Sequence, residues 1–110
     1  MYYSWDKKTD KITKLRDVLE FGRMFEDNEA RRVDYTVVGD AHVSTVFLGL
    51  DHGFEKGKKP VLFETMVFGG YYDEEQERYC TAEEARMGHA KWVKRVKALK
   101  ESKPRKKRKE

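Results

Sequence analysis

The chain has 110 residues, of which 38% are hydrophobic, 40% charged and 13% aromatic, enough for one domain with a modest core and too aromatic for a wholly disordered polymer. The single Cys80 excludes an internal disulfide, and no apolar run nears the ~20 residues of a membrane helix. The net charge of +4 divides unevenly: residues 91–110 hold eleven Lys or Arg against Glu101 and Glu110, a net of +9, which leaves residues 1–90 at −5.

In chain order, MYYSWDKKTDK shows no signal-peptide apolar region, so a reducing, cytoplasmic setting is expected. The KKTD segment between Tyr2–Trp5 and Lys11–Thr13 reads as a turn in a short hairpin or an extended arm. Asp17-Val-Leu-Glu20 matches a capping box and opens a helix over about 18–26, ended by the polar segment from Glu26 to Ala30. Arg32 to Val38 alternates and is rich in β-branched residues. Gly39-Asp40 is a turn signal, and a second strand runs from His42 to Leu50. A loop from Asp51 to Lys59 leads to a third strand, Pro60 to Phe68, closed by Gly69-Gly70 and an acidic loop at 73–77. Thr81-Ala-Glu-Glu84 is a second capping box. It starts a helix over about 82–100 that sets Ala85, His89, Trp92, Val93, Val96 and Leu99 on one face. Pro104 and the RKKRK run read as a disordered basic tail, so residues 1–102 form one domain and 103–110 the tail.

These elements imply an α+β fold: an antiparallel sheet of three or four strands with two helices packed on one face. With a tight turn at Gly39-Asp40 and residue 50 opposite residue 61, alternation collects Val33, Tyr35, Val37, Ser44, Val46, Leu48, Leu50, Val61, Phe63, Thr65 and Val67 on a core face. The other face then carries Arg32, Asp34, Thr36, Val43, Thr45, Phe47, Leu62, Glu64, Met66 and Phe68. That mixture is too apolar for water and too charged for a core, and it reads as a surface for a partner or for a second copy. A one-residue slip of register would exchange the faces.

Glu64 interrupts an apolar run. In this register it lies beside Phe47 together with Arg32, so the two either form an ion pair or recognise a ligand or partner, with Thr45 assisting, on a binding surface that includes Phe47 and Met66. Asp51 and His52 end the second strand and, with the loop from Asp51 to Lys59, offer an alternative partner- or ligand-binding surface; Asp51 otherwise closes its loop onto backbone amides. His52, Glu64 and His89 are the residues a small metal-dependent enzyme would use, but no HxH, HExxH or CxxC spacing accompanies them. His89 otherwise reads as a core-edge imidazole bonded to a backbone carbonyl. Cys80 precedes a helix N-terminus, yet Glu83 and Glu84 oppose thiolate formation. Gly69-Gly70 lacks the strand, glycine loop and helix of a phosphate cradle. No catalytic residue, metal ligand or cofactor is assigned. Lys103, Arg105, Lys106, Lys107, Arg108 and Lys109 form a candidate phosphate-contacting tail without the interleaved aromatics that stack on bases.

The blocks RRVDYTVVGDAHVSTVFLGLDHGF, PVLFETMVFGG and RYCTAEEARMGHAKWV resemble a family of small uncharacterised proteins encoded by bacteriophages and prophages. The resemblance covers about Trp5 to Val96. The position after Arg78-Tyr79-Cys80-Thr81 is often aromatic in that family and is Ala82 here. The basic tail lies outside the resemblance. It implies a phage accessory protein in the cytoplasm of an infected bacterium, a non-enzymatic binder of a host or phage macromolecule concerned with host takeover or counter-defence. The alternatives are a nucleic-acid-binding protein using its C-terminal helix and tail, a sponge for a signalling nucleotide, and a small metal-dependent enzyme.

Overall fold

A computed structural model gives the fold, and the structure describes residues 2–51, 53 and 57–102. The elements are β1 (Tyr2–Trp5), β2 (Ile12–Leu15), α1 (Val18–Glu26), α2 (Asn28–Arg31), β3 (Arg32–Val38), β4 (Ala41–Phe47), β5 (Phe63–Phe68), β6 (Gln76–Tyr79) and α3 (Ala82–Ser102). β1 and β2 form an antiparallel hairpin, and β3-β4-β5-β6 form an antiparallel meander in sequence order. The protein is therefore α+β, built on antiparallel sheet. No described helix is long and apolar enough to cross a membrane.

Local chemistry sets the element ends. Asp17 accepts from the Leu19 amide at 2.8 Å and so caps α1. At the start of α3 the Glu84 amide donates to Thr81 Oγ1 at 3.1 Å, while the Thr81 amide donates back to Glu84 Oε1 at 3.1 Å, a complete capping box. Gly39 has φ of +59° at the first central position of the β3–β4 turn, which a two-residue hairpin of this kind needs and glycine supplies without strain.

One face of the four-stranded sheet is covered. α3 lies along it, and the β1–β2 hairpin sits at its end, where the Tyr3 amide donates to the Gly49 carbonyl at 2.8 Å. The short helix α1 packs on that hairpin. Trp5 stacks edge-on to Phe63 at 5.5 Å and tilts over Phe47 at 6.0 Å. With Leu62, Ala82 and Ala85 they make one apolar cluster. Val38, Ala41, Val43, Val67, Trp92 and Val96 make a second. Between them, in the middle of the sheet and at the middle turn of α3, lie the buried polar side chains Thr45, Thr65 and His89.

The β3–β4 register is the one a tight Gly39-Asp40 turn dictates, with Val38 opposite Ala41. The β4–β5 register is displaced by one residue from the expectation: Phe47 faces Phe63 and Val46 faces Glu64. This changes the faces. Phe47, Thr45, Val43 and Thr36 turn towards α3 together with Phe63, Thr65 and Val67. Tyr35, Val37, Ser44 and Val46, expected in the core, occupy the opposite face with Glu64, Met66 and Phe68. A fourth strand, β6, comes from a segment whose first residues read as acidic loop.

Candidate functional site

The row Asp34, Thr45, Thr65, Glu77 crosses the four strands on the covered face, with Thr36 two residues along β3 from Asp34, and α3 lowers His89 onto it. His89 is 3% exposed and both of its ring nitrogens are engaged. Nδ1 lies 2.7 Å from Thr45 Oγ1, and Nε2 lies 2.9 Å from Thr36 Oγ1. The Asp34 carboxylate, which is largely exposed, stands 3.7 Å from Nε2. The hydrogen-bonded file continues through the sheet. The Thr45 and Thr65 hydroxyls are hydrogen-bonded at 2.6 Å, and Tyr79 Oη reaches Thr65 at 3.1 Å and Glu77 Oε1 at 3.3 Å. The Trp92 indole donates to the same Glu77 oxygen at 3.0 Å, and Lys91 pairs with it at 2.8 Å. Every polar atom of the file has a partner, which is what allows hydroxyls and an imidazole to sit between two apolar clusters.

The protonation states follow from these contacts. Burial lowers the His89 pKa, and the nearby Asp34 carboxylate offsets only part of that, so the imidazole is neutral near pH 7. Glu77 is held below the usual carboxylate range, chiefly by its hydrogen bond from Lys91 and also by Trp92. Burial pushes Tyr79 up to about 12. An ionised Glu77 only accepts. When Tyr79 donates to it, Thr65 donates to Tyr79, Thr45 to Thr65, and Nδ1–H to Thr45; Nε2 then accepts from Thr36.

An Asp–His–Thr series invites comparison with a hydrolytic triad, and the geometry opposes it. Thr45, the hydroxyl beside Nδ1, is wholly buried under α3, so no substrate carbonyl can reach it. Glu64 lies on the opposite side of the sheet from His89, so the two cannot share a metal ion. His89 is bonded to threonine hydroxyls, a correction to the backbone carbonyl expected from the sequence. Burial raises the Cys80 thiol pKa and the Glu84 carboxylate adds to the rise, the wrong direction for a nucleophile.

The outer edge of this file opens into a groove between α3 and β3, of about 510 Å³, lined by Asp34, Thr36, Arg86, His89, Ala90, Val93, Lys94 and Lys97. Arg86 is committed elsewhere: it holds Asp10 in the β1–β2 turn with two bonds of 2.7 Å. Among the described residues no carboxylate pairs with Lys94 or Lys97.

The second candidate is the uncovered sheet face. Its rows across the strands are Val37, His42 and Phe68; then Tyr35, Ser44, Met66 and Gln76; then Arg32, Val46, Glu64 and Arg78. Val37 is 55% exposed, Phe68 46% and Tyr35 40%. The Tyr35 hydroxyl is bonded to His42 Nδ1. Nothing among the described residues covers this face.

The residues singled out from sequence divide between the two sides. Arg32, Glu64 and Met66 lie on the open face. Thr45 and Phe47, expected beside them, are buried in the core, because the register slip turns them inward. Arg32 and Glu64 flank Val46, not Phe47, and do not pair. Glu64 binds Arg78 Nε at 3.0 Å, whereas Arg32 approaches Glu29 at 3.7 Å. Asp51 Oδ1 accepts from the Gly53 and Val61 amides, both at 2.8 Å, and so closes its loop as the sequence suggests. His52 and the tail Lys103, Arg105, Lys106, Lys107, Arg108 and Lys109 lie outside the described residues. Asp34, Thr36 and Lys94 were missed as a group; only their common edge in the folded sheet brings them together. Comparison with protein-family models, with curated proteins and with solved structures gives no match for this chain.

Proposed function

We propose that this chain is a non-enzymatic binding protein of the phage accessory kind, working in the cytoplasm of an infected bacterium, and that its open sheet face receives a host or phage protein. The observation that carries this reading is the exposure of Tyr35, Val37 and Phe68 on a sheet whose other face is fully furnished with α3 and a hairpin. Four strands about 4.8 Å apart and four to seven residues long make a mixed polar and apolar face of about 400 Å². The largest apolar patch on an ordinary monomer is about 300–600 Å², and such patches are often functional.

Charge narrows the partner. Residues 1–90 stand at −5, and on the face Glu64 neutralises Arg78 while Glu29 lies 3.7 Å from Arg32, a poor match for a polyanion. A protein fits better, with an apolar middle and the Glu64–Arg78 pair at the rim. A stable dimer needs about 800 Å² from each partner, roughly twice this patch, so a partner reaching beyond the face fits better than a second copy on it. The test uses Val37→Asp and Phe68→Asp, both at exposed positions. A bacterial protein that co-purifies with the natural chain and is lost with both variants is the expected result. Equal capture by all three, no capture, or a stable dimer in light scattering that the variants dissociate would overturn it.

A further inference from the structure

The groove between α3 and β3 is independent of the open face, which lies on the other side of the sheet. Its two ends differ chemically. At one end the Asp34 carboxylate, the Thr36 hydroxyl and the buried His89 present mainly acceptors. Asp34 accepts only, and in the proton order above Thr36 Oγ1 donates its hydrogen to Nε2 and keeps a lone pair free. Hydrogen-bond donors on a ligand are what this end recognises. At the other end Lys94 and Lys97 stand one turn apart, and neither has an ion-pair partner among the described residues. Between the ends Ala90 and Val93 give an apolar strip.

The scale of the groove selects a ligand class. From His89 to Lys97 is eight residues of helix, about 12 Å at 1.5 Å each. A volume of 510 Å³ lies in the range of small-ligand and cofactor sites. A bare inorganic anion would use only the lysine end and would be repelled by Asp34 if it moved along the groove. A compound carrying a phosphate at one end and amino or hydroxyl donors about 10 Å away would use both.

We infer that the α3–β3 groove binds a phosphorylated small molecule of the nucleoside monophosphate class, with its phosphate on Lys94 and Lys97 and its donor groups on Asp34 and Thr36. Arg86, neutralised by Asp10, frames the donor end and does not take the phosphate. The file behind His89 fixes the floor, since the imidazole is held on both nitrogens and cannot turn.

The probes are AMP, adenosine and inorganic phosphate, titrated calorimetrically into the full-length chain. AMP binding is expected to be at least tenfold tighter than either adenosine or phosphate. The double variant Lys94→Ala/Lys97→Ala, at two exposed positions, should melt at the natural temperature and bind AMP at least tenfold more weakly. Asp34→Asn should weaken AMP while leaving phosphate unchanged. Equal AMP affinity in the natural chain and the double-lysine variant would place binding on the basic tail and overturn the inference. So would phosphate binding as tightly as AMP, which would mean charge without recognition, or a short oligonucleotide outcompeting AMP through the same lysines, which would make the groove a nucleic-acid contact. None of these outcomes bears on the open face, whose variants leave Asp34, Thr36, Lys94 and Lys97 in place.

Discussion

Two helical glycines illustrate how one residue type serves opposite ends. Gly22 lies in α1 with nothing within 4 Å of where a Cβ would stand. Gly88 lies in α3 with the Tyr79 hydroxyl 2.1 Å from that point. Tyr79 is bonded to Thr65 and Glu77 and cannot swing aside cheaply, so Gly88 is what lets α3 approach β6. Gly22→Ala should stabilise by about 0.8–1 kcal/mol, the helix-propensity difference. Gly88→Ala should destabilise by about 1–3 kcal/mol through overpacking. Thermal melts will read these as a rise and a fall of several degrees, and a neutral Gly88→Ala would refute the close approach. His89 gives the second prediction at this scale. Its folded-state pKa is lowered, so the unfolded chain takes up the proton first as pH falls. The stability that the neutral ring contributes is present above the unfolded value near 6.5 and is lost below it. Between pH 7 and pH 5 the natural chain should lose stability. His89→Gln, which keeps a donor and an acceptor but does not titrate, should lose much less across that interval. Parallel denaturation curves at the two pH values for both proteins would contradict the assignment.

At the scale of elements, the strands β3 to β5, the hairpin and both longer helices are legible in the sequence, because turn residues, caps and helical spacing are local signals. The pairing of β4 with β5 is not. In VSTVFLGL both alternating sets are apolar, Val43 and Phe47 on one side and Val46 and Leu48 on the other, so period two does not choose a face. Thr45 reads as an outward residue, and it is core because His89, 44 residues further along, and Thr65 satisfy its hydroxyl. β6 escapes detection for the same reason: Glu77 turns inward only because Lys91, Trp92 and Tyr79 meet it there. Long-range hydrogen bonds of this kind leave no trace in local composition. They also tie the elements together, as does the bidentate Arg86–Asp10 contact between α3 and the hairpin turn. The guanidinium beside Asp10 holds its carboxyl below the usual carboxylate range. Both side chains are nearly half exposed, so Arg86→Ala should cost only about 0.5–1 kcal/mol at pH 7. That increment should vanish once the pH falls below about 3.9 and Asp10 is protonated in the unfolded and then the folded chain. A double-mutant cycle with Asp10→Ala measures the coupling, and a coupling that persists in acid would show that packing is responsible.

Over the whole molecule, the charge is partitioned so that the folded part and the tail oppose one another. Residues 103–110 carry six Lys or Arg and Glu110, a net of +5, so their removal takes the chain from +4 to −1. Any affinity for nucleic acid phosphates should therefore reside in the tail. Six phosphate contacts on duplex DNA would give log K a slope of about −5 against log salt concentration, and single strands a slope nearer −4. The full-length chain should bind duplex DNA at about 50 mM salt and release it near 200 mM, without marked sequence preference, because six clustered cations neutralise phosphates and read no base edge. The chain ending at Ser102 should melt at the natural temperature, since the apolar clusters and the His89 file all lie before that point. It should bind no DNA at either salt concentration. Retained binding with a shallow salt slope would transfer the contact to α3 and its lysine stripe. Loss of binding together with a lowered melting temperature would mean that the tail supports the fold. Either result would separate the basic tail from the role its charge suggests.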